Sequence, residues 1–264
     1  MSPQSKEKNP ELSIITINYQ KDDLVVNLVK KLVPRLGVEI IIVDNSPTDS
    51  LHHKLSKRSD IRYFFTGKNL GFSGGNNFGL ARARGEWLLL LNSDTLVTTA
   101  EILRMLEHTR RQGYLVSAPK LIQPDGKIQN NVGYFDSFLK HPLNYLFARP
   151  RFLTCSSVNE NVLVDLLTGS AMLIHNSVFK QIGTLDEKNF FMYYEDIDFS
   201  YRLHQKGVPV LYDPDVRILH LGGASSDQDT RQKNKNYQHG LTVYLTKNRG
   251  YLYAKINNLF HFLA

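Results

Sequence analysis

The sequence predicts an α/β fold, a mostly parallel central sheet flanked by helices. Three observations carry that expectation. Apolar, β-branched runs recur at residues 12–19, 38–43 and 86–91, each of strand length. The segments between them carry helical spacing or glycine-rich turns. Strands alternating with helices argue for parallel strands under a helical cover.

Residues 12–19 read as a buried strand. Residues 22–36 follow as a helix, with Leu24, Leu28, Val29 and Leu32 on one face and lysines on the other. A second strand over 38–43 ends at Asp44-Asn45-Ser46-Pro47, a turn-rich cluster. A weaker helix over 51–59 and a short strand over 61–65 come next. The stretch 71–79, rich in glycine and asparagine, reads as a loop feeding a helix to Arg84, and 86–91 is the most apolar strand of the chain.

The second half is less regular. A strand over 119–125 leads into a turn at Pro124-Asp125-Gly126. Residues 132–157 mix aromatic, proline and basic side chains without a period and read as a long excursion. Residues 162–175 are strand-like around Thr168-Gly169-Ser170, 196–206 form a helix closed by Gly207, and short strands follow at 208–212 and 216–219. The tail 236–264 is amphipathic, with aromatics among Lys247, Arg249 and Lys255.

Composition narrows the function classes. A chain of 264 residues that is 42% hydrophobic can bury a full core. Its net charge of +7 suggests an anionic partner: nucleotide phosphates, nucleic acid or a membrane surface. A single cysteine, Cys155, rules out an internal disulfide framework and fits a reducing compartment; it reads as a small, partly buried side chain rather than a reactive thiol. Residues 1–10 are polar, without the apolar core of a secretory signal, and no stretch reaches the ~18 apolar residues of a membrane span. The expectation is a cytoplasmic protein, with a peripheral place on the inner face of the plasma membrane left open.

Ligands of open parallel sheets sit at the carboxyl ends of the strands. Asp44 and Asp94 both fall at such ends, so two carboxylates should converge on one crevice. Asp44 can accept from a base N–H or a ribose hydroxyl, or serve as a turn residue or helix N-cap. Asp94 can hold a hard divalent cation, which takes one or two carboxylates plus substrate phosphates, or can cap a following helix. Residues 68–79 are rich enough in glycine for backbone N–H groups to approach an anion at a helix start, and a plain flexible loop fits them equally.

Glu195-Asp196-Ile197-Asp198 opens a helix, where the positive end of the dipole favours carboxylates. Asp198 stands four residues before Arg202, an ordinary helix pair. Asp196 or Glu195 is then the candidate base for a hydroxyl proton, and position alone does not choose between them. His220 ends an apolar stretch beside Gly222 and Gly223, a place for a metal ligand, a phosphate contact or a structural histidine.

Together these motifs resemble the inverting GT-A glycosyltransferases of family 2, especially their rhamnosyltransferase-like branch. The likeness runs in order through Ser13-Ile14-Ile15-Thr16-Ile17-Asn18-Tyr19, Ile41-Ile42-Val43-Asp44-Asn45-Ser46, Asn69-Leu70-Gly71-Phe72 with Asn76, and Leu90-Leu91-Asn92-Ser93-Asp94. It continues through Thr168-Gly169-Ser170-Ala171, Phe191 to Asp198, and His220. The ordered set is specific where each piece is not.

The resemblance implies one GT-A domain: a Rossmann-like nucleotide-sugar-binding half over 12–120, an acceptor-binding and catalytic half over 121–225, and a basic tail over 226–264. It implies Thr16, Asn18, Asp44, Asn69, Gly71, Asn76, Asn92 and Ser93 at the donor, Asp94 and His220 on a Mg²⁺ or Mn²⁺ ion, and Asp196 as the base. Thr168, Gly169, Ser170 and Glu195 would face the sugar or the acceptor. The implied reaction moves a sugar, L-rhamnose from dTDP-rhamnose ahead of a UDP-hexose or UDP-galactofuranose, onto a glycan or lipid-linked hydroxyl in surface polysaccharide synthesis. Nucleic acid is not an implied partner. The first acid of the family's DxD motif is Asn92 here, a neutral amide that binds a cation more weakly.

Two other readings compete: a basic module that holds nucleotide without chemistry, and a nucleotidyl transferase, which has no obvious use for Asp196. The tail is either a helix packed on the domain or one that docks on anionic lipid.

Overall fold

The computed structural model describes residues 9–135, 151–222 and 230–255. Strands β1 (Leu12–Asn18), β2 (Val38–Asp44), β3 (Ile61–Phe65) and β4 (Trp87–Leu91) run parallel in the spatial order β3-β2-β1-β4. Their connections are helices α1 (Asp22–Lys31), α2 (Ser50–Leu55) and α3 (Gly71–Leu80). This half matches the expected order of elements, but the helices expected over 22–36 and 51–59 end earlier, at Lys31 and Leu55, and 71–79 is itself the helix. Glycine and asparagine are poor helix formers, yet a β-carbon on Gly79 would lie 2.5 Å from Ile15 Cγ2 and one on Gly75 2.7 Å from Asn45 Nδ2. Close seating of the helix on the sheet, not flexibility, calls for small residues there.

Beyond β4 the sheet turns mixed. After the two-residue β5 (Thr95–Leu96) and helix α4 (Thr99–Arg111) come β6 (Val116–Ile122), β7 (Ile128–Gln129), β8 (Val132–Tyr134) and β9 (Arg151–Phe152). These are followed by β10 (Val162–Val164), β11 (Leu166–Leu167), β12 (Ala171–His175), α5 (Asn176–Ile182), α6 (Glu195–Gln205), β13 (Val210–His220) and α7 (Thr230–Arg249). Strand β12 lies antiparallel between β4 and β6, and β13 runs parallel to β6. The ten-stranded sheet is therefore parallel at one end and mixed at the other, while β11, β8 and β9 form a separate small sheet.

Several expected boundaries move. The strand expected over 119–125 is β6, displaced toward the N-terminus because the turn bond Gly126 N–H to Gln123 O stops it earlier. Residues 168–170 are a turn joining β11 to β12, and the two short strands expected over 208–219 are one strand with a bulge between Asp213 and Arg217. Of the expected excursion, 136–150 lies outside the described residues, as do 256–264 of the tail.

Alternation along the strands sends Leu12 and Ile14 to one face, against Val25, Leu28 and Val29 of α1 and Ile102, Met105 and Leu106 of α4. Ile15 goes to the other face with Ile41, Val43, Val178 of α5 and Phe199 and Leu203 of α6. Cys155 is fully buried in that second layer. A third cluster joins Leu241, Tyr244 and Leu245 of α7 to Phe190, Tyr194 and Ile197, so the described part of the tail packs on the domain. No helix among the described residues is long and apolar enough to cross a membrane.

Candidate active site

The carboxyl ends of β1, β2 and β4 open on a cavity of about 220 Å³. Asn69, Gly71, Asn76, Asn92 and Ser93, all expected at the donor, line it. Tyr19, Gln20, Lys21, Asn45, Phe72 and Met192 line it too, and the sequence reading assigned them no role. For Tyr19 to Lys21 the signal was present: a polar run straight after the first parallel strand.

Asn18, Asp44 and Thr16 lie behind this wall. Asp44 is fully buried: its Oδ1 accepts from Asn18 Nδ2 and from the Ser46 N–H, both at 3.0 Å, and its Oδ2 accepts from the Tyr63 hydroxyl at 2.6 Å. The Ser46 bond is the turn role anticipated for an Asp-Asn-Ser-Pro cluster. The Thr16 hydroxyl is buried without a hydrogen-bond partner among the described residues.

The N-terminus of α3 is less open to an anion than its glycines suggested. Asn69 Oδ1 accepts from the Gly71 N–H at 2.9 Å, and Phe191 O accepts from the Phe72 N–H at 2.8 Å. Gly71 has φ +72°, and a β-carbon on it would fall 2.3 Å from Phe191 O. The α3 start is thus stitched to the segment that leads into α6.

Next in the chain to Asn92 and Ser93 of the lining, Asp94 is 1% exposed and its Oδ1 lies 3.3 Å from His220 Nε2. The β5–β13 pairing sets Thr95 opposite His220, and the Leu221 N–H donates to Asp94 O at 2.8 Å. The alternative of an N-cap is filled elsewhere: Thr98 and Glu101 form the capping box of α4. His220 Nδ1 is 2.7 Å from Gln129 Oε1, and an amide oxygen only accepts, so that nitrogen carries the proton. Nε2, the other ring nitrogen, faces the Asp94 carboxylate. A carboxylate beside an imidazole nitrogen, with the far ring nitrogen held by an outer partner, is an arrangement that suits a bound cation. Among the described residues no cluster of three His, Cys, Asp or Glu could hold a metal; the pair fits a cation that draws its other ligands from phosphates.

The carboxylates of α6 separate by environment. Asp198 is fully buried between Arg202 Nε at 2.9 Å and Lys247 Nζ at 2.7 Å, the structural role expected of it. Asp196 keeps partial access to solvent; its Oδ2 accepts from the Gly169 N–H at 2.9 Å and its Oδ1 from the Ile197 N–H at 2.8 Å. Burial raises its pKa, and those N–H donors pull the other way. Glu195 is 5% exposed, and burial followed by the Asp196 charge pushes its carboxyl well above the usual range. Asp196 combines two N–H donors with access to solvent, whereas Glu195 is buried with its Oε2 unpartnered among the described residues, so environment separates two residues that position could not.

Thr168 to Ser170 tie the two sides together. The Gly169 N–H holds Asp196, Ser170 O accepts from the Asn92 N–H at 3.0 Å, and a β-carbon on Gly169 would sit 3.0 Å from the Phe72 ring. The Asp196 carboxylate is thereby set at the margin of the cavity that Phe72 lines.

The profile described as "Glycosyl transferase family 2" matches residues 13–182, well over half of the chain. The chain belongs to glycosyl transferase family 2. Among curated proteins this family 2 chain is 33% identical to the low-salt glycan biosynthesis hexosyltransferase Agl10 of Haloferax volcanii, over 76% of the chain and 64% of that protein. It is 27% identical to the N-acetylglucosaminyl-diphospho-decaprenol L-rhamnosyltransferase of Mycobacterium tuberculosis, over 73% of the chain and 69% of that protein. The chain thus spans about two thirds of the length of these relatives. Among solved structures, GalNAc-T7 with UDP, GalNAc and Mn²⁺ superposes with a TM-score of 0.62 at 18% identity, covering 81% of the chain and 44% of that protein. The mixed sheet flanked by helices is the GT-A architecture of family 2.

The buried acid of this site has a consequence for stability. A folded-state pKa above the unfolded value means that stability is lost as pH rises from the ordinary glutamate value of 4.5 toward the raised one, about 1.4 kcal/mol per unit. Glu195→Gln should remove that loss. Thermal melts are expected to coincide below pH 4.5 and to favour the variant increasingly above it; parallel wild-type and variant curves would contradict the raised pKa.

Proposed function

We propose that the protein is an inverting glycosyltransferase that moves a sugar from a nucleotide diphosphate to a hydroxyl of a glycan or lipid-linked acceptor in surface polysaccharide synthesis. The observation that carries this is the constellation around the cavity: the Asp94–His220 pair directly behind the lining residues Asn92 and Ser93, and Asp196, held by the Gly169 and Ile197 N–H groups with access to solvent, at the Phe72 margin. In this reading residues 12–120 bind the donor and 121–225 supply the acceptor side within a single GT-A domain.

The chemistry follows. Asp196 takes the proton of the acceptor hydroxyl as its oxygen attacks the anomeric carbon, and the bond to the diphosphate breaks on the opposite face. One displacement inverts the configuration without a covalent enzyme intermediate. A bound Mg²⁺ or Mn²⁺, held by Asp94 and His220, would offset the charge of the leaving diphosphate. Asn69, Gly71, Asn76, Asn92 and Ser93 shape the donor pocket, with Thr16 and Asn18 beneath it. Asp44 is assigned to the base or ribose by the family resemblance, from a position behind Asn45 of the lining. Thr168 to Ser170 border the sugar, while Glu195, being buried, supports its neighbour. A rhamnosyltransferase-like use of dTDP-rhamnose leads, with a UDP-hexose or UDP-galactofuranose second; the mycobacterial relative is named an L-rhamnosyltransferase and the haloarchaeal one a hexosyltransferase, so both donor classes belong in the binding panel. Exposed Lys233 and Lys235 of α7 are available to an anionic membrane surface, which would place a cytoplasmic enzyme near a lipid-linked acceptor.

The deciding experiment is calorimetric binding and slow hydrolysis of dTDP-rhamnose, UDP-glucose and UDP-galactose, with and without Mn²⁺. Cation-dependent binding of one donor is expected; binding of none would sink the transferase reading. Asn92→Asp, which adds a carboxylate beside Asp94, is expected to tighten Mn²⁺ binding about tenfold in the presence of UDP. Unchanged Mn²⁺ affinity would place Asn92 away from the cation.

A further inference from the structure

The segment that presents Asp196 is held in a conformation its own residues do not favour. Tyr193 and Tyr194 have φ of 70° and 69°, the left-handed region, where a side chain crowds the backbone. Neither is glycine or asparagine, so neighbours must enforce the shape. On one side stands α3, whose Phe72 N–H donates to Phe191 O. On the other stands α7. A β-carbon on its Gly240 would lie 2.6 Å from Tyr193 O and 3.1 Å from Tyr194 Cβ, so helix and turn meet backbone to backbone.

Further contacts come from the same face of α7. The Tyr194 ring meets Tyr237 at 5.0 Å and Tyr244 at 5.8 Å between centroids. Lys247 Nζ reaches Asp198 of α6 and Asp186 of the preceding loop, each at 2.7 Å. Positions 237, 240, 244 and 247 recur at helical spacing, and their contacts fall on the turn and first residues of the helix that carries Asp196. Both that helix and α7 lie outside the residues matched by the family profile.

We propose that α7 is a brace for the catalytic carboxylate, with Gly240 a positioning residue whose missing side chain lets the helix bear on Tyr193–Tyr194 and aim Asp196 at the Gly169 N–H. The inference rests on the reading of Asp196 as the base, but the brace is measurable without it.

Gly240→Ala in the full chain tests the brace. In an unobstructed helix alanine outranks glycine and raises the melting temperature; against the Tyr193 carbonyl it should lower it. Hydrogen exchange at the amides of 195–199 is expected to accelerate at least tenfold while that of 12–18 is unchanged. With the donor found by the binding panel, kcat should fall at least tenfold while the Kd for UDP or dTDP stays within twofold. If Gly240→Ala does not fold, Lys247→Met, which removes the charge that links α7 to Asp198, Asp186 and the Phe190 ring, is expected to show the same split at about threefold. A raised melting temperature with unchanged exchange at 195–199 overturns the proposal, as does an equal loss of nucleotide affinity and kcat. If the wild type binds neither UDP nor dTDP, the transferase reading fails, while melting and exchange still decide the brace.

Discussion

Asp196→Asn is expected to lower turnover about a thousandfold while UDP or dTDP affinity changes less than twofold. The amide keeps the shape of the carboxylate and one of its two acceptor positions toward the Gly169 and Ile197 N–H groups. What it loses is proton affinity, and a positioned general base is worth about 10²- to 10⁴-fold. Glu195 does not substitute: it is buried, and its carboxyl is held well above the usual range. In the wild type the base must be ionised, so activity should fall as pH drops through a value above the ordinary aspartate 3.8, because burial raises the Asp196 pKa. Steady-state rates and nucleotide titrations on one preparation check this, and a kcat within tenfold of wild type would remove Asp196 from the chemistry.

Asp94→Ala is expected to weaken Mn²⁺-dependent UDP binding about a hundredfold, with His220→Ala somewhat milder. The carboxylate supplies charge and the imidazole a neutral lone pair, so their losses differ in size. Gln129→Ala should cost about tenfold through the His220 ring it orients at 2.7 Å. With chelator present, wild type and all three variants should bind UDP alike, which separates loss of a cation site from general damage to the pocket. A wild-type Mn²⁺ response in Asp94→Ala would end the metal assignment.

The first half was readable because its physics is local. Residues 87–91 are continuously apolar since the strand is buried on both faces, and such a strand announces its own carboxyl end and hence Asp94. The pairing of Asp94 with His220 depends on β5 meeting β13 across almost half of the chain, and only the ordered family resemblance hinted at it. Gln129 left no trace: an amide on a two-residue strand gains meaning only from the ring it faces. The left-handed tyrosines were equally silent, because the residue types that mark that backbone are glycine and asparagine. The misread stretch 71–79 shows the opposite failure, composition pointing to a loop where close packing demanded a helix of small residues.

The placement of β12 bears on the order of synthesis. Residues 171–175 fill the gap between β4 and β6, two strands that leave the ribosome long before them. Until they arrive, the Leu88–Leu91 edge and the Val116–Ser117 edge stand open in the middle of the sheet, an invitation to pair with another chain. A nascent chain halted before residue 171 should therefore depend on holding chaperones, and release from them should follow translation of β12 rather than completion of the parallel strands.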